Sequence, residues 1–317
     1  MHMASTSDLK SGNIQTVRRC FYLNESLSVN EVKKMTGLSH GCTVNAFRAL
    51  EESGEIGLLE KTGKTVGRKT HRYALNEEFG HFLAIDVRRE HNGFSSRSWR
   101  MNLKGTETDV RIRSFAEMDD TYLHEEISSM MRAYPDTDMI LISTPGICEE
   151  GVITNGEIFR MDIGSRIEAE YHIPYVIEND VNVAAIGFSA DYPHNADIAV
   201  IYQAENGIFG CGILINGRLY NGFSHAAGEV RYLPDMEEKK KMDPSLLLAE
   251  MIQSVSAILN PKIIGWASDC VHEEPSVSPS LPARHMPTLI HIHDLNTCRR
   301  RGLFSIGIYN ISEESKG

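Results

Sequence analysis

The 317-residue sequence has no cysteine pattern that suggests cross-linking or metal binding. Its six cysteines lie far apart, with no CxxC pair and no compact group of cysteine and histidine. A disulfide framework is rare in a chain of this length, and zinc sites need close ligand pairs, so we expect reduced thiols and no zinc. No apolar run approaches the ~20 residues that a membrane helix requires. These absences favour a cytoplasmic protein with no membrane partner.

Excess positive charge is also missing, except at one end of the chain. The net charge is −11. Residues 1–80 carry eleven Lys and Arg against nine Asp and Glu, whereas the remainder carries twenty-one against thirty-four. Because an acidic surface repels nucleic acid, any contact with DNA must be made by the N-terminal part. The length suggests about two domains, which we place at residues 1–78 and 79–317.

The N-terminal part has the pattern of a helix-turn-helix. Apolar residues at helical spacing predict one helix over 13–23. A second helix is predicted over 29–36, because Ser28 and Glu31 form the reciprocal capping-box pattern at its start. Gly37 follows, and glycine readily adopts the positive φ of a tight turn. Two helices joined by a short turn of this kind are typical of DNA-binding motifs.

The helix after the turn is the one that enters the major groove in this motif. We predict that it begins after the N-cap residue Ser39 and continues to about Ser53. Val44, Phe47 and Leu50 are expected to face inward, and the remaining face is polar. The side chains expected to contact DNA from this helix are Ser39, His40, Thr43, Asn45 and Arg48.

A basic segment follows the third helix. Two short β-like runs, 55–60 and 71–75, flank a Gly-rich turn and predict a hairpin, the wing of a winged helix. The twelve residues 61–72 hold five basic side chains and no acidic one. Alone, such a run is usually a solvated surface, but directly after a helix-turn-helix in an acidic chain it favours contact with phosphates. The predicted wing contacts are Lys61, Lys64, Arg68 and Lys69.

The body of the chain, residues 79–317, has an α/β pattern. Three strands near 82–87, 99–103 and 109–115 form a predicted meander. The elements predicted after it are a helix over 117–133, a strand over 139–143, a helix over 164–171, strands over 174–177, 198–202 and 212–215, a helix over 244–259, and strands over 262–266 and 289–292. Polar residues beside glycines at strand ends are where α/β proteins place ligand sites.

Several short motifs stand out in the chain. They are Glu178-Asn179-Asp180-Val181-Asn182, the run Asn206–Gly212, Ala226-Ala227-Gly228-Glu229 and, in the N-terminal part, Ser11-Gly12-Asn13, Thr36-Gly37-Leu38-Ser39 and Val66-Gly67-Arg68. Together they resemble the ROK family, which contains sugar-responsive repressors and sugar kinases. The resemblance implies an N-terminal winged helix-turn-helix followed by an actin-like (RNase H-like), two-lobed body of the ROK sugar-kinase type.

The resemblance also implies a sugar-binding cleft. Asn179, Asp180 and Glu229 match family residues that hydrogen-bond sugar hydroxyls, Gly146 lets the backbone approach the same cleft, and Asp180 matches the catalytic base of the kinases. Carboxylates and carboxamides offer the acceptors and donors that neighbouring hydroxyls need. An alternative is that Asn179 and Asp180 only cap the helix that begins at Val181, and that Gly146 is part of an ordinary Pro-Gly turn.

The phosphate-binding and zinc motifs of the family are altered. Kinases carry glycines after the first strand so that backbone N–H groups can approach a phosphate, whereas this chain has Arg88, Arg89 and Glu90. The second phosphate loop, 206–212, keeps only its last two glycines. Arg231-Tyr232 replaces a Gly-His pair, and the cysteine cluster that supplies zinc ligands is absent. We therefore expect no ATP-dependent catalysis, no cofactor and no zinc.

These features favour a DNA-binding transcription regulator with a non-catalytic, sugar-sensing ROK body. The alternatives are an active sugar kinase that carries a DNA-binding head, and a regulator whose body only oligomerises. The expected partners are a double-stranded DNA operator and a sugar or sugar phosphate effector. One winged helix makes few base contacts and paired half-sites need two heads, so we expect a homodimer or homotetramer.

Overall fold

Three helices and a two-stranded hairpin form the N-terminal head of the protein. The computed structural model describes residues 6–22, 24–59, 71–154, 160–195, 197–277 and 282–314. In the head, α1 spans Thr6–Tyr22, α2 spans Val29–Thr36, α3 spans His40–Glu52, and strand β1 (Ile56–Leu58) pairs antiparallel with β2 (Tyr73–Leu75). A single 3-10 turn, 77–79, leads into the body.

Local hydrogen bonds explain the bounds of α2. Ser28 N donates to Glu31 Oε2 at 2.7 Å, and Glu31 N donates back to Ser28 Oγ at 3.4 Å, which is the predicted capping box. Gly37 ends the helix with φ 71° and donates its N–H to Lys33 O. The predictions for α2 and for the start of α3 at Ser39 are confirmed. Helix α1 begins seven residues earlier than predicted, at Thr6 rather than residue 13.

The first lobe of the body is a five-stranded sheet with the order β10-β6-β3-β4-β5. Its strands are β3 (His81–Glu90), β4 (Gly93–Asn102), β5 (Glu107–Phe115), β6 (Met139–Thr144) and β10 (Tyr175–Asn179), where β3 to β5 form the predicted antiparallel meander and β6 and β10 run parallel to β3. A small antiparallel sheet of β7 (Ile147–Glu149), β8 (Val152–Thr154) and β9 (Arg160–Asp162) lies between β6 and β10 in sequence.

The two faces of the first sheet are covered by different helices. Alternate residues of β3 point to opposite sides, as the pleat requires. Leu83 and Ile85 pack with α4 (Asp120–Ala133) and α5 (Ile163–Tyr171). Phe82 and Ala84 belong to another buried cluster, which includes residues of the C-terminal helix and extends to Val17 and Phe21 in α1. The head and the first lobe therefore share a hydrophobic core.

The second lobe is another five-stranded sheet, with the order β13-β12-β11-β14-β15. Its strands are β11 (Ile198–Gln203), β12 (Phe209–Ile215), β13 (Arg218–Leu219), β14 (Ile263–Ser268) and β15 (Thr288–His291). The remaining helices are α6 (Asp180–Ser189), α7 (Met236–Lys239), α8 (Pro244–Leu259) and α9 (Leu295–Glu314). Asp243 caps α8, and its predicted bounds, 244–259, are confirmed.

Helices α6 and α9 hold the lobes together. Helix α6 packs on β11 and β12 of the second sheet, and α9 packs on α6 and on β3 and β6 of the first. Two glycines allow the helices to approach closely: a Cβ atom on Gly187 would lie 1.8 Å from Cys298 O, and one on Gly302 would lie 2.0 Å from Val183 O. Helix α9 was not predicted from the sequence.

Among the helices within the described ranges, none is both long enough and apolar enough to cross a membrane. The observed architecture confirms the predicted fold class, an α/β body of two lobes behind an N-terminal helix-turn-helix.

Candidate functional site

The exposed face of α3 carries most of the residues predicted to contact DNA. His40, Asn45 and Arg48 are exposed. Ser39 is also exposed, and its Oγ accepts a hydrogen bond from Cys42 N at 3.2 Å, so it acts as the N-cap of the helix. These four residues are placed where a recognition helix would meet the major groove. Contact with DNA stays a prediction for each of them.

Thr43, which was predicted to lie on the DNA-binding face, faces the core instead. Its side chain is fully buried, with an exposed fraction of 0%, and Oγ1 donates a hydrogen bond to Ser39 O at 3.0 Å. The buried stripe of α3 consists of Thr43, Ala46, Phe47 and Leu50, the i, i+3, i+4, i+7 pattern of a core-facing helix. The prediction of an outward Thr43 was wrong because it began the stripe at Val44, which is only half-buried.

The predicted wing is described only at its base. Strands β1 and β2 pair as expected, whereas Lys61, Lys64, Arg68 and Lys69 lie outside the described residues. Arg72 fastens the base of the hairpin to α2: Nη2 donates to Ser26 O at 2.6 Å, and Nη1 lies 3.0 Å from Glu31 Oε1.

In the body, polar side chains gather where β10 ends and α6 begins. We call Asp86, Gly146, Glu178, Asn179, Asp180, Glu229 and Arg299 the polar cluster. Asn179 is the N-cap of α6, since its Oδ1 accepts from Val181 N at 2.9 Å and Asn182 N at 3.2 Å. Its Nδ2 donates to Gly146 O at 2.9 Å. The structure thus brings Asn179 and Gly146 together and gives Asn179 a capping role, beside which sugar binding stays a prediction.

Asp180 has a different environment from its neighbour. Its side chain is buried, and Oδ2 lies 3.3 Å from Nη1 of Arg299 in α9. Nε of the same guanidinium lies 3.5 Å from Oδ2 of the fully buried Asp86. Asp86 also accepts from Ser143 Oγ and from Arg88 Nε, both at 2.9 Å. Arg299 therefore bridges two carboxylates that come from separate elements, β3 and α6.

Two carboxyl groups of the cluster, those of Asp180 and Glu229, have raised pKa values. Burial raises the pKa of Asp180 above its ordinary value, while the charge of Arg299 opposes the shift and that of Asp86 adds to it. Burial likewise raises the pKa of Glu229, with Arg231 opposing and Asp180 adding. Burial opposes the charge on Arg299, but Asp86 and Asp180 outweigh it and raise the pKa of the guanidinium.

Two further acids and their partners complete the surroundings. Glu229 pairs with Arg231, whose Nε lies 2.9 Å from Oε2. Glu178, which was not among the predicted site residues, accepts from Asn182 Nδ2 at 2.9 Å and from Asn221 Nδ2 at 3.5 Å. Burial raises the pKa of Glu178. Its position directly before Asn179 was the available sequence signal.

The positions that match phosphate loops are used for packing and pairing. Residues 86–90 lie in strand β3, which continues to Glu90 instead of turning, and Arg88 pairs with Asp86. Gly210 and Gly212 of the second loop face α6: a Cβ on Gly210 would lie 2.5 Å from Val181 Cγ2, and one on Gly212 would lie 2.6 Å from Val181 O. The retained glycines thus let β12 pack against α6.

Within the part of the chain that is described, no three His, Cys, Asp or Glu side chains are grouped in a way that could hold a metal ion. Arg231 and Tyr232, which stand where the family's Gly-His pair would be, form a short 3-10 turn, 230–232.

Sequence comparison relates the chain to named repressors. It is 26% identical over 253 residues to the xylose repressor of Bacillus subtilis (strain 168), which covers 74% of this chain and 63% of the relative. It is 23% identical over 266 residues to the xylose repressor of Staphylococcus xylosus, covering 78% of this chain and 67% of the relative. The chain thus spans less than two thirds of the length of the Bacillus subtilis relative.

Solved structures share the fold at low sequence identity. A ROK family transcriptional regulator, described as a homolog of the E. coli MLC protein, superposes with a TM-score of 0.68 at 16% identity, over 95% of this chain and 97% of that chain. The ROK hexokinase from Thermus thermophilus superposes with a TM-score of 0.50 at 12% identity, over 73% of this chain and 99% of that chain. Residues 105–238 match the model of the ROK family. This part of the body is therefore similar to the ROK family.

Proposed function

We propose that this protein is a sugar-responsive, DNA-binding transcription regulator, and that its ROK body senses the sugar without catalysis. The observation that carries the proposal is the joining of a helix-turn-helix, with its exposed polar α3, to a ROK-type body through a shared core. The named relatives add support, because they are xylose repressors. Repression of carbohydrate genes is the corresponding role, and xylose is the first sugar to test.

The surroundings of Asp180 argue against the alternative of a sugar kinase. A general base must reach the proton that it removes and must be free to accept it. Asp180 is buried beside Arg299, and Asp86 is shared between Arg299 and Arg88. Arg88 and Arg89, on a continuous strand, occupy the place of a backbone phosphate turn. This arrangement supports a binding site and offers no free carboxylate pair for phosphoryl transfer.

The proposed partners are an operator and a small sugar, free or phosphorylated. A dimer or tetramer would present two heads to the paired half-sites of an operator. The body is acidic and the head is not, so DNA binding should depend on the head and fall steeply with salt as phosphate contacts release counterions.

The test is a binding titration with the full chain. A DNA site is first selected from a random-sequence pool, and its affinity is then measured by fluorescence anisotropy with and without xylose, glucose and their phosphates. We expect one sugar to change the affinity by roughly 5- to 150-fold, the usual range of regulatory coupling. Sugar phosphorylation that requires ATP and is abolished in Asp180→Asn would establish the kinase instead.

The wing assignment has its own test. Replacing Lys64, Arg68 and Lys69 with Ala should weaken binding to all sequences and flatten the salt dependence, because each lost phosphate contact reduces the slope by about 0.9. Replacing Asn45 or Arg48 should change sequence preference instead. The body triple Lys239, Lys240 and Lys241 is the matched control for loss of three charges. If the wing triple binds with unchanged affinity and slope, the wing does not contact DNA.

A further inference from the structure

We propose that Arg299 is the positioning residue of the polar cluster, and that α9, which carries it, transmits sugar binding at Asp180 to the DNA-binding head. The inference rests on the proposed function, since it needs both a sugar site in the body and a DNA-binding surface in the head. It adds a residue and a route that neither the sequence motifs nor the named relatives indicate.

The first support is the environment of the guanidinium. Arg299 is 5% exposed and bridges Asp86 and Asp180, while its Nη2 donates to Asn296 Oδ1 at 2.8 Å. The contact of Nε with Asp86 is an ion pair without hydrogen-bond geometry, so this buried N–H has no hydrogen-bond partner among the described residues. A buried donor left unsatisfied is costly. The bridge is therefore poised to rearrange when a hydroxyl group competes for Asp180.

The second support is that Asp86 and Asp180 depend on Arg299 to different degrees. Asp86 is held by Arg88 at 2.9 Å as well as by the more distant Arg299. The ion pair of Asp180 is with Arg299. A change at Arg299 should therefore act mainly on Asp180. Buried ion pairs seldom add net stability over apolar packing, and their best-attested use is to fix a register or a switch. A charged bridge between β3 and α6 suits that use.

The third support is the close backbone contact of α6 and α9. With glycine at 187 and 302, the backbones of the two helices touch, so that even a methyl group on either glycine would overlap a carbonyl oxygen of the other helix. Tightly packed surfaces of this kind have discrete arrangements and do not deform continuously. A displacement at the start of α6, where Asp180 lies, would therefore move α9 as a unit.

The fourth support is the route from α9 to the head. Phe304 lies five positions beyond Arg299, about 7.5 Å along the helix, and its ring packs on Gly105. The adjacent Lys104 donates from Nζ to Phe21 O at 3.0 Å and to Asn24 O at 2.9 Å, at the C-terminal end of α1. Helix α9 also packs directly on α1. The polar cluster and the head are thus linked through α9, by way of Lys104 and by the direct contact of α9 with α1.

The experiment separates sugar binding from the response to sugar, using the full chain and xylose as the probe. Binding is measured as the xylose-induced rise in the thermal unfolding temperature. The response is the ratio of DNA affinities without and with xylose. The variants are Arg299→Gln, the conservative Arg299→Lys, Lys104→Met, and Arg301→Gln as the matched control. Arg301 neighbours Arg299 in sequence but pairs with the exposed Asp191 at 2.7 Å.

We expect Arg299→Gln to lose both the thermal shift and the response, and Arg299→Lys to recover part of both. Lys104→Met should keep the thermal shift, but its ratio of DNA affinities without and with xylose should be at least fivefold smaller than that of the wild type. Arg301→Gln should behave as the wild type. If Arg299 were purely structural, Arg299→Gln would lower the unfolding temperature but leave the xylose-induced shift and the response intact. Arg299→Lys would then not restore the lost stability. That pattern would overturn the proposal.

The outcomes distinguish this inference from the proposed function. If the wild type responds to xylose and Lys104→Met responds equally, the route through α9 and Lys104 is wrong although the regulator remains. If Arg299→Gln fails to fold, Arg299→Lys and Lys104→Met still decide the matter, since retention of the full response in both overturns the inference. A wild type whose DNA affinity changes with none of the tested sugars removes the proposed function, and the inference with it.

Discussion

Glu31 in the head and the acids of the polar cluster have opposite surroundings. In the head, hydrogen bonds from the backbone and side chain of Ser28, with a further one from Arg72, lower the pKa of Glu31 to about 2. In the polar cluster, burial raises the pKa values of Glu178, Asp180 and Glu229. Glu31 is an acid with its donors in place and much of its surface in water. The cluster acids are buried where a polar ligand could satisfy them.

The distance along the chain between partners differs as well. The main donor to Glu31 lies three residues away, and that pair stabilises the start of a helix. Asp180 and Arg299 are 119 residues apart, and their contact exists only because α6 and α9 meet. The start of α2 thus depends on local contacts, and the polar cluster depends on long-range packing. Changes in the two regions should therefore differ in size.

The largest expected effect is the loss of Asp180. Asp180→Ala leaves Arg299 buried with only Asp86, which Arg88 already holds, so we expect the free energy of unfolding to fall by about 3–5 kcal/mol. Urea unfolding followed by the fluorescence of Trp99 and Trp266, one in each lobe, measures it. The exposed pair of Asp191 and Arg301 is the control, and Asp191→Ala should cost less than about 1 kcal/mol. An equally small cost for Asp180→Ala would show that the residue acts only as part of a helix start.

The next effect comes from replacing a glycine with alanine at the contact of α6 and α9 and, for comparison, in α3 of the head. Gly302→Ala forces a methyl group into Val183 O across the contact of α6 and α9 and should destabilise the fold by about 1–3 kcal/mol or more. Gly41 in α3 has no atom within 4 Å of the position that a methyl group would take, so Gly41→Ala should stabilise the helix by up to about 1 kcal/mol. Unfolding midpoints of the two variants measure both. A Gly302→Ala variant as stable as the wild type would contradict the close contact of the two helices.

A smaller effect is expected at the capping box. Ser28→Ala removes the hydroxyl that accepts from Glu31 N and should cost about 1 kcal/mol. Amide hydrogen exchange in α2 measures the loss, because neither tryptophan lies in the head. Asn30→Ala, on the exposed side of the same helix, is the control and should leave exchange nearly unchanged. Equal protection in Ser28→Ala and wild type would mean that tertiary packing alone holds α2.

The smallest effect is a dependence on pH. The folded-state pKa of Glu31 is lowered from 4.5 to about 2, so its stabilising contribution is present above about pH 4.5 and lost as pH falls towards 2. Solvent screening reduces the effect, since the side chain is 45% exposed. Exchange rates of α2 in wild type and Glu31→Gln should differ at pH 6 and converge at low pH. A difference that does not change with pH would exclude this ionisation as its cause.

The acids of the polar cluster should behave with the opposite sign. Because their folded-state pKa values are raised, their contribution to stability is greatest at low pH and is lost as pH rises through those values. Comparing Glu178→Gln with wild type over the same pH range would show this reversal directly. The comparison between head and cluster would fail if the stabilising effects of Glu31 and Glu178 changed with pH in the same direction.

The sequence by itself determined the elements whose causes are local. Ser28, Glu31 and Gly37 specify α2 within one turn of each end, and Asp243 with Pro244 specifies the start of α8. Short apolar runs were enough to predict the three strands of the meander, although β4 begins at Gly93, six residues before the predicted start. The motif around Asn179 and Asp180 marked the correct strand end, because polar residues between a strand and a helix are visible without knowledge of the fold.

Only the tertiary structure decided what those residues touch. Arg299 stands in a run of three arginines, a pattern that is normally a solvated surface, and α9 carries it into the core beside Asp180. Thr43 faces inward because the buried stripe of α3 begins there and not at Val44, while Phe47 and Leu50 face the core as predicted. Gly210 resembles a remnant of a phosphate loop in the sequence but makes room for Val181 in the fold. Burial and long-range charge pairing depend on which distant segments meet, and spacing along one chain does not encode that directly.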